Sequence, residues 1–128
     1  MNYDLPISVN AVMLLKSIDV FTDDNLFENQ QVPQSFLSAP TFPFITVESL
    51  PTTDSENASN RRHSEYQQFQ LDMYHTTNKE LVAYKRRIED LFSSHDFGCF
   101  FYESGHDLSM NAKRATWRFS KLINYEVK

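Results

Sequence analysis

The sequence predicts an α+β domain: a four-stranded sheet made from two β-hairpins, with two helices packed on it, in the order α-β-β-α-β-β. Three observations predict it. Along Glu65 to His75, the residues Phe69, Leu71 and Met73 alternate with Gln68, Gln70 and Asp72, the period of two of a strand that buries one face. Two residues later Thr77-Asn78-Lys79-Glu80 has capping-box spacing, in which the Thr hydroxyl accepts from a backbone N–H three residues on and the Glu reaches back. From Leu81 the period lengthens. Leu81, Tyr84, Ile88, Leu91 and Phe92 make one apolar stripe, while Lys85, Arg86, Arg87, Glu89 and Asp90 fall mostly on the solvated side. A strand burying one face, followed at once by a helix burying one stripe, packs most simply as a helix lying on a sheet.

The other elements follow from the same rules. Leu5-Pro6 behind Asp4 reads as a helix start, since proline fits the first turn and Asp suits the positive end of the dipole. Ala11, Leu14, Leu15 and Ile18, with Val9 and Val12, extend it for about three turns as a second cover for the sheet. Val20 and Phe21 supply a short extended piece before the turn residues Asp23-Asp24-Asn25. From Asn29 to Pro43, prolines at 33, 40 and 43 predict an irregular surface segment, anchored by Phe36, Leu37 and Phe42. Phe44-Ile45-Thr46-Val47-Glu48 is the first core strand.

Leu50 to Ser64 has no apolar residue larger than Ala after Pro51, so burial cannot offset its ordering entropy, and a long mobile loop is expected near 51–64. Such a loop is often functional, although extension also costs little and a tolerated insertion has the same composition. Beyond the second helix, which Ser93-Ser94-His95-Asp96 ends, Gly98-Cys99-Phe100-Phe101-Tyr102-Glu103 reads as a third strand with both faces largely covered. A second mobile loop is expected near 105–113. Ala115, Trp117 and Phe119 then alternate with Thr116, Arg118 and Ser120 in a fourth strand, which Leu122 to Val127 either extends or leaves as an arm. The crossover between the hairpins should be right-handed if its flanking strands run parallel.

Length and charge bound the function. The 128 residues suit a single domain, 1–128, whose core draws on eleven Phe, six Tyr and one Trp. A net charge of −5 without a basic stripe argues against nucleic-acid binding. The lone thiol, Cys99, cannot form an internal disulfide; it reads as a buried inert side chain in an intracellular chain. No basic-then-apolar leader is visible and Val12-Met13-Leu14-Leu15 is too short to span a bilayer, so a soluble protein with no membrane partner is expected.

Chemistry is sparse. His95-Asp96 and His106-Asp107 are the only adjacent His-Asp pairs, a pattern usable by a small metal-dependent hydrolase, but both fall in predicted turns where Asp is a good turn former. No helix carries a His-Glu-x-x-His pair, and no Ser stands in a Gly-x-Ser-x-Gly elbow. Two glycines are too few for a phosphate-cradling loop. The expectation is a protein that is not an enzyme, with no catalytic residue, cofactor or metal, acting as a binding or assembly module. Candidate partner-binding residues are Tyr66, Gln68, Gln70 and Arg118 on outward sheet positions, and Arg61, Arg62, His106, Lys113 and Arg114 at the two hairpin loops. The outward positions also read as an ordinary wet sheet face.

Together, the Leu5-Pro6 helix, the Phe44-Ile45-Thr46-Val47 strand, the polar hairpin loop, the Gln68-Phe69-Gln70-Leu71-Asp72-Met73-Tyr74 strand, the Leu81 to Phe92 helix and the Lys113-Arg114-Ala115-Thr116-Trp117-Arg118-Phe119 strand resemble a known family. It is that of the tail terminator, or tail completion, proteins of long-tailed siphophages, above all those of Gram-positive hosts. The resemblance covers nearly the whole chain in element order, through diffuse patterns with no invariant signature. It implies a protomer that forms a hexameric ring on the last ring of the tail tube, stops polymerisation and presents a surface to the head connector. Its implied partners are further copies of itself, the major tail tube protein and the head connector or head completion protein, with genomic DNA only passing through. Its implied location is the neck end of the virion tail, after assembly in the host cytoplasm. A neighbouring neck component, a head completion or head-tail joining protein, is the alternative of similar size. Heterologous contacts would close such a ring, exposed strand edges could make them, and a negative lumen would not trap phosphate.

Overall fold

The computed structural model describes residues 5–29, 31–54 and 64–124. Its elements are α1 (Ile7–Leu15), β1 (Leu26–Glu28), α2 (Gln34–Ser38), β2 (Phe44–Asp54), β3 (Ser64–His75), α3 (Asn78–Ser94), β4 (Gly98–Asp107) and β5 (Ala112–Asn124). The strands form one mixed sheet in the order β1-β2-β3-β5-β4, so the class is α+β with five strands and three helices rather than four and two. The two hairpins, β2–β3 and β4–β5, are antiparallel as expected, and β3 and β5 pair with each other in the centre. Because β3 and β4 are both antiparallel to β5, the strands flanking the α3 crossover run parallel.

The extra strand and helix have a common cause. β1 is three residues long and pairs parallel to β2 with Leu26 beside Ile45, a contact that local pattern cannot announce because its partner lies nearly twenty residues away. The expected extended piece at Val20 and Phe21 is instead a connection, in which Phe21 is buried in the core. α2 forms inside the proline-rich segment, with Pro33 at its N-cap, and lays Phe36 against Phe27 and Phe44 at 4.8 and 5.1 Å. Proline is unobjectionable at a helix start, so only the residues beyond it had to favour a turn.

α3 begins as its capping box predicts. The Thr77 hydroxyl accepts from Glu80 N–H at 3.3 Å, but Glu80 reaches the Thr76 and Thr77 hydroxyls, at 3.0 and 3.2 Å, and its Oε2 lies 2.7 Å from Nδ1 of His75. The helix is tied to the end of β3 as well as capped. Leu81, Ile88 and Phe92 are buried and Tyr84 and Leu91 half-buried, the predicted stripe. α1 begins after Pro6, which caps it without a side-chain bond; Asp4 lies outside the described residues.

α1 and α3 cover one face of the sheet. There Ile45 and Val47 of β2, Phe69, Leu71 and Met73 of β3, and Ala115, Trp117 and Phe119 of β5 are all buried. Phe69 contacts Phe92, Phe97 and Phe119 with ring centres 5.0 to 5.4 Å apart, the tilted and offset packing that aromatic rings prefer. The Trp117 indole N–H donates to Glu89 at 2.9 Å, and Glu89 also pairs with Lys85, so the one tryptophan has its polar edge satisfied by α3.

Two expectations about strands are corrected. β4 was expected to be covered on both faces, yet it is the sheet's outer strand and exposed along most of its length. β5 occupies the sheltered place, between β3 and β4. Cys99, expected to be buried, is therefore exposed. β2 runs past Glu48 to Asp54, through Pro51, with a register shift between Leu50 and Thr53, the kind of irregularity at which proline is tolerated in a sheet. Residues 55–63, the greater part of the first expected loop, lie outside the described residues, and β5 continues through Leu122 to Asn124.

Phe69→Ala is expected to cost about 3–5 kcal/mol in chemical denaturation. Phe100→Ala, which removes a ring that is 51% exposed, should stay within about 0.5 kcal/mol.

Candidate functional site

The alternation that fills the core places a different set of side chains on the opposite face. Leu50, Gln68 and Ser120 form one cross-strand row; Glu48, Gln70 and Arg118 the next; Thr46, Asp72 and Thr116 the third; Phe44, Tyr74 and Arg114 the fourth. These rows are joined sideways. Gln70 donates to Asp72 at 3.0 Å and accepts from Arg118 Nε at 2.9 Å, the Thr116 hydroxyl donates to Asp72, and the Arg118 guanidinium lies 4.9 Å from the Phe101 ring centre. The face thus carries a polar network held by its own hydrogen bonds, and of the described helices only α2 packs on it.

At one corner it is apolar. Phe44 stacks on Tyr74 at 4.6 Å and is closed over by Phe27, Phe36 and Phe42. Burial raises the Tyr74 phenol above its ordinary pKa, with the Asp72 carboxylate acting in the same direction. Beside this corner, Leu37 of α2 and Met110 of the β4–β5 turn flank a groove of about 390 Å³, whose floor includes Glu48, Asp72 and Tyr74. Its two sides come from segments more than seventy residues apart, so neither sequence stretch signals it.

The β4–β5 connection is tighter than expected, because only residues 108–111 form the turn. Asp107 organises it. Its carboxylate accepts from the Ser109 hydroxyl at 2.6 Å and the Met110 N–H at 3.1 Å, and pairs with Arg114 at 3.3 Å, while Asn111 takes the left-handed conformation with φ 48°. The Ser109 bond above all, helped by the Met110 N–H and Arg114, holds this carboxyl below the ordinary Asp range.

The residues singled out from sequence are divided by this geometry. Tyr66, Gln68, Gln70, Arg114 and Arg118 share the open face. His106 and Lys113 are cross-strand neighbours of each other, and Lys113 lies opposite His75, so alternation puts them on the other side. Arg61 and Arg62 lie outside the described residues. Glu48 and the groove were missed; the available signal was that Glu48 is a charged residue at an outward position of the first core strand, in step with Thr46.

No protein-family model matches this sequence, and a search of curated proteins finds no match. The His95-Asp96 and His106-Asp107 pairs stand at opposite ends of β4, about 30 Å apart at the rise of a strand, so they cannot form one metal centre. Among the described residues no group of three or more His, Cys, Asp or Glu side chains is placed to hold a metal ion. No described helix is long and apolar enough to cross a membrane.

Two measurements follow. An Asp whose folded pKa is depressed contributes stability above its unfolded value of about 3.9 and loses it as pH falls through the lower folded value. The stability gap between wild type and Asp107→Asn, read from urea midpoints, should therefore be largest near neutral pH and shrink below about pH 4. Cys99 should react with a thiol reagent in the native protein, slowly at neutral pH and faster as pH rises, because partial burial pushes its pKa up. A thiol that reacts only after unfolding would contradict its exposure.

Proposed function

We propose that this protein is a phage tail terminator, a subunit that forms a hexameric ring on the end of the tail tube, stops tube growth and offers the head connector a surface to join. The observation that carries this reading is a sheet covered by two helices on one face only, with the polar face and the long β4 edge left open. Apart from the groove beside the Phe44 corner, the polar groups of that face run in successive cross-strand rows over three strands, as suits contact with a large neighbour.

The physical logic of such a ring is heterologous contact, one patch of each protomer meeting a different patch of the next. The Gln68, Gln70 and Arg118 rows and the corner around Phe44 are two different patches on one protomer, and the β4 edge is a third surface that could meet one of them head to tail. The negative net charge suits a channel that DNA traverses without binding.

Negative-stain microscopy of particles lacking the protein tests this. The expected result is tails of uncontrolled length. Tails of normal length left unattached to heads would instead identify a head completion or head-tail joining protein. In solution, the mass of the purified chain should rise to that of a ring complex when tail tube protein is added.

A further inference from the structure

β4 is bonded on one side to β5 and, among the described residues, to no strand on the other. Exposed edges of this kind are normally blunted by charged side chains, above all lysine, by proline, a bulge, a short length or a covering element, and β4 carries only a bulge near its start and the acidic Glu103 and Asp107. β4 has ten residues, no lysine and no proline. Its one irregularity is at Phe100, which lies outside the ladder between Cys99 and Phe101. From Phe101 to Asp107 the strand is regular, and an added Cβ at Gly105 would meet nothing within 4 Å. Apolar side chains lie along the same strand, with Phe100 and Tyr102 at 51% and 36% exposure.

We propose that this edge is covered in solution by β4 of a second copy, running antiparallel about a two-fold axis at Ser104. In such a pair the residues equally far before and after the axis face each other across it. An axis at Ser104 pairs every residue of the regular stretch 101–107: Phe101 with Asp107, Tyr102 with His106 and Glu103 with Gly105 of the second copy. An axis at Glu103 would set two carboxylates face to face and bring His106 against the bulge at Phe100; one at Tyr102 would bring Ser104 against it. Opposed like charges destabilise a cross-strand pair, so charge and bulge select the same register. The other sheet edge, β1, has three residues and could offer β4 at most three cross-strand pairs. The axis is perpendicular to the sheet, so the helices of both copies stay on one side and both polar faces on the other. The dimer is a property of the isolated chain and holds or fails regardless of tail capping. In a ring, this edge would be freed before it met another neighbour.

Sedimentation equilibrium of the full chain across concentration tests the pairing, with circular dichroism confirming that each variant is folded. Wild type is expected to dimerise. Ser104→Lys places two ammonium groups at the axis and should weaken the dimer about fivefold or more, whereas Gly105→Lys, facing Glu103 of the second copy, should not weaken it. In a Cys99→Ser background, Ser104→Cys should form a disulfide-linked dimer with oxidised glutathione, while Leu108→Cys, on the exposed turn, should remain monomeric. A wild-type chain that is monomeric at every concentration overturns the proposal. So does a dimer equally affected by both lysine variants, or equal cross-linking at 104 and 108.

Discussion

The registration of β3 between β2 and β5 is the constraint on which the other features rest. β3 is hydrogen-bonded antiparallel on both sides, and its side chains alternate strictly, so a slip of one residue would exchange Phe69, Leu71 and Met73 for Gln68, Gln70 and Asp72 in the core. Burying those amides and that carboxylate without partners would cost several kcal/mol, far more than the strand pairing itself could offset. One register therefore sets both faces at once. The aromatic cluster of Phe69, Phe92, Phe97 and Phe119 and the polar network of Gln70, Asp72 and Arg118 are two sides of a single choice.

The two faces then diverge because helices are available to only one of them. α1 and α3 cover the apolar side, and the Glu89 carboxylate between Trp117 and Lys85 links the longer helix to the middle of the sheet. On the polar side, of the described helices, only α2 arrives, and it arrives at a corner, drawn by Phe27 and Phe44. The exposed charges that remain contribute little to stability individually, as solvated pairs do. Their value is geometric: Gln70 fixes Arg118, and Asp107 fixes both the turn and Arg114. A partner would meet side chains already restrained, which lowers the entropy lost on contact.

The strand edges are equally unlike. β1 is short and belongs to a segment folded back onto β2, while β4 is long and open. The apolar run Cys99-Phe100-Phe101-Tyr102 misleads here, since it has the composition of a buried strand. In place, Tyr102 packs its ring on Trp117 at 5.2 Å beneath Lys85, Phe101 lies under Arg118, and Phe100 is displaced from the ladder. Rings that serve as margins of a sheet and rings that fill a core look the same in one dimension.

The sequence by itself determined the central unit. The alternation from Glu65 to His75, the Thr77 cap, the Leu81 to Phe92 stripe and the alternation around Trp117 are short-range patterns, and short-range geometry suffices to produce them. It also determined the α+β class and the two hairpins. Only the tertiary structure decided that β5 rather than β4 lies beside β3, that three residues from Leu26 make a fifth strand, that α2 forms, and that Leu37 and Met110 share a groove. Those outcomes turn on which distant segments can bury the most surface together, a comparison between whole packings that no local period contains.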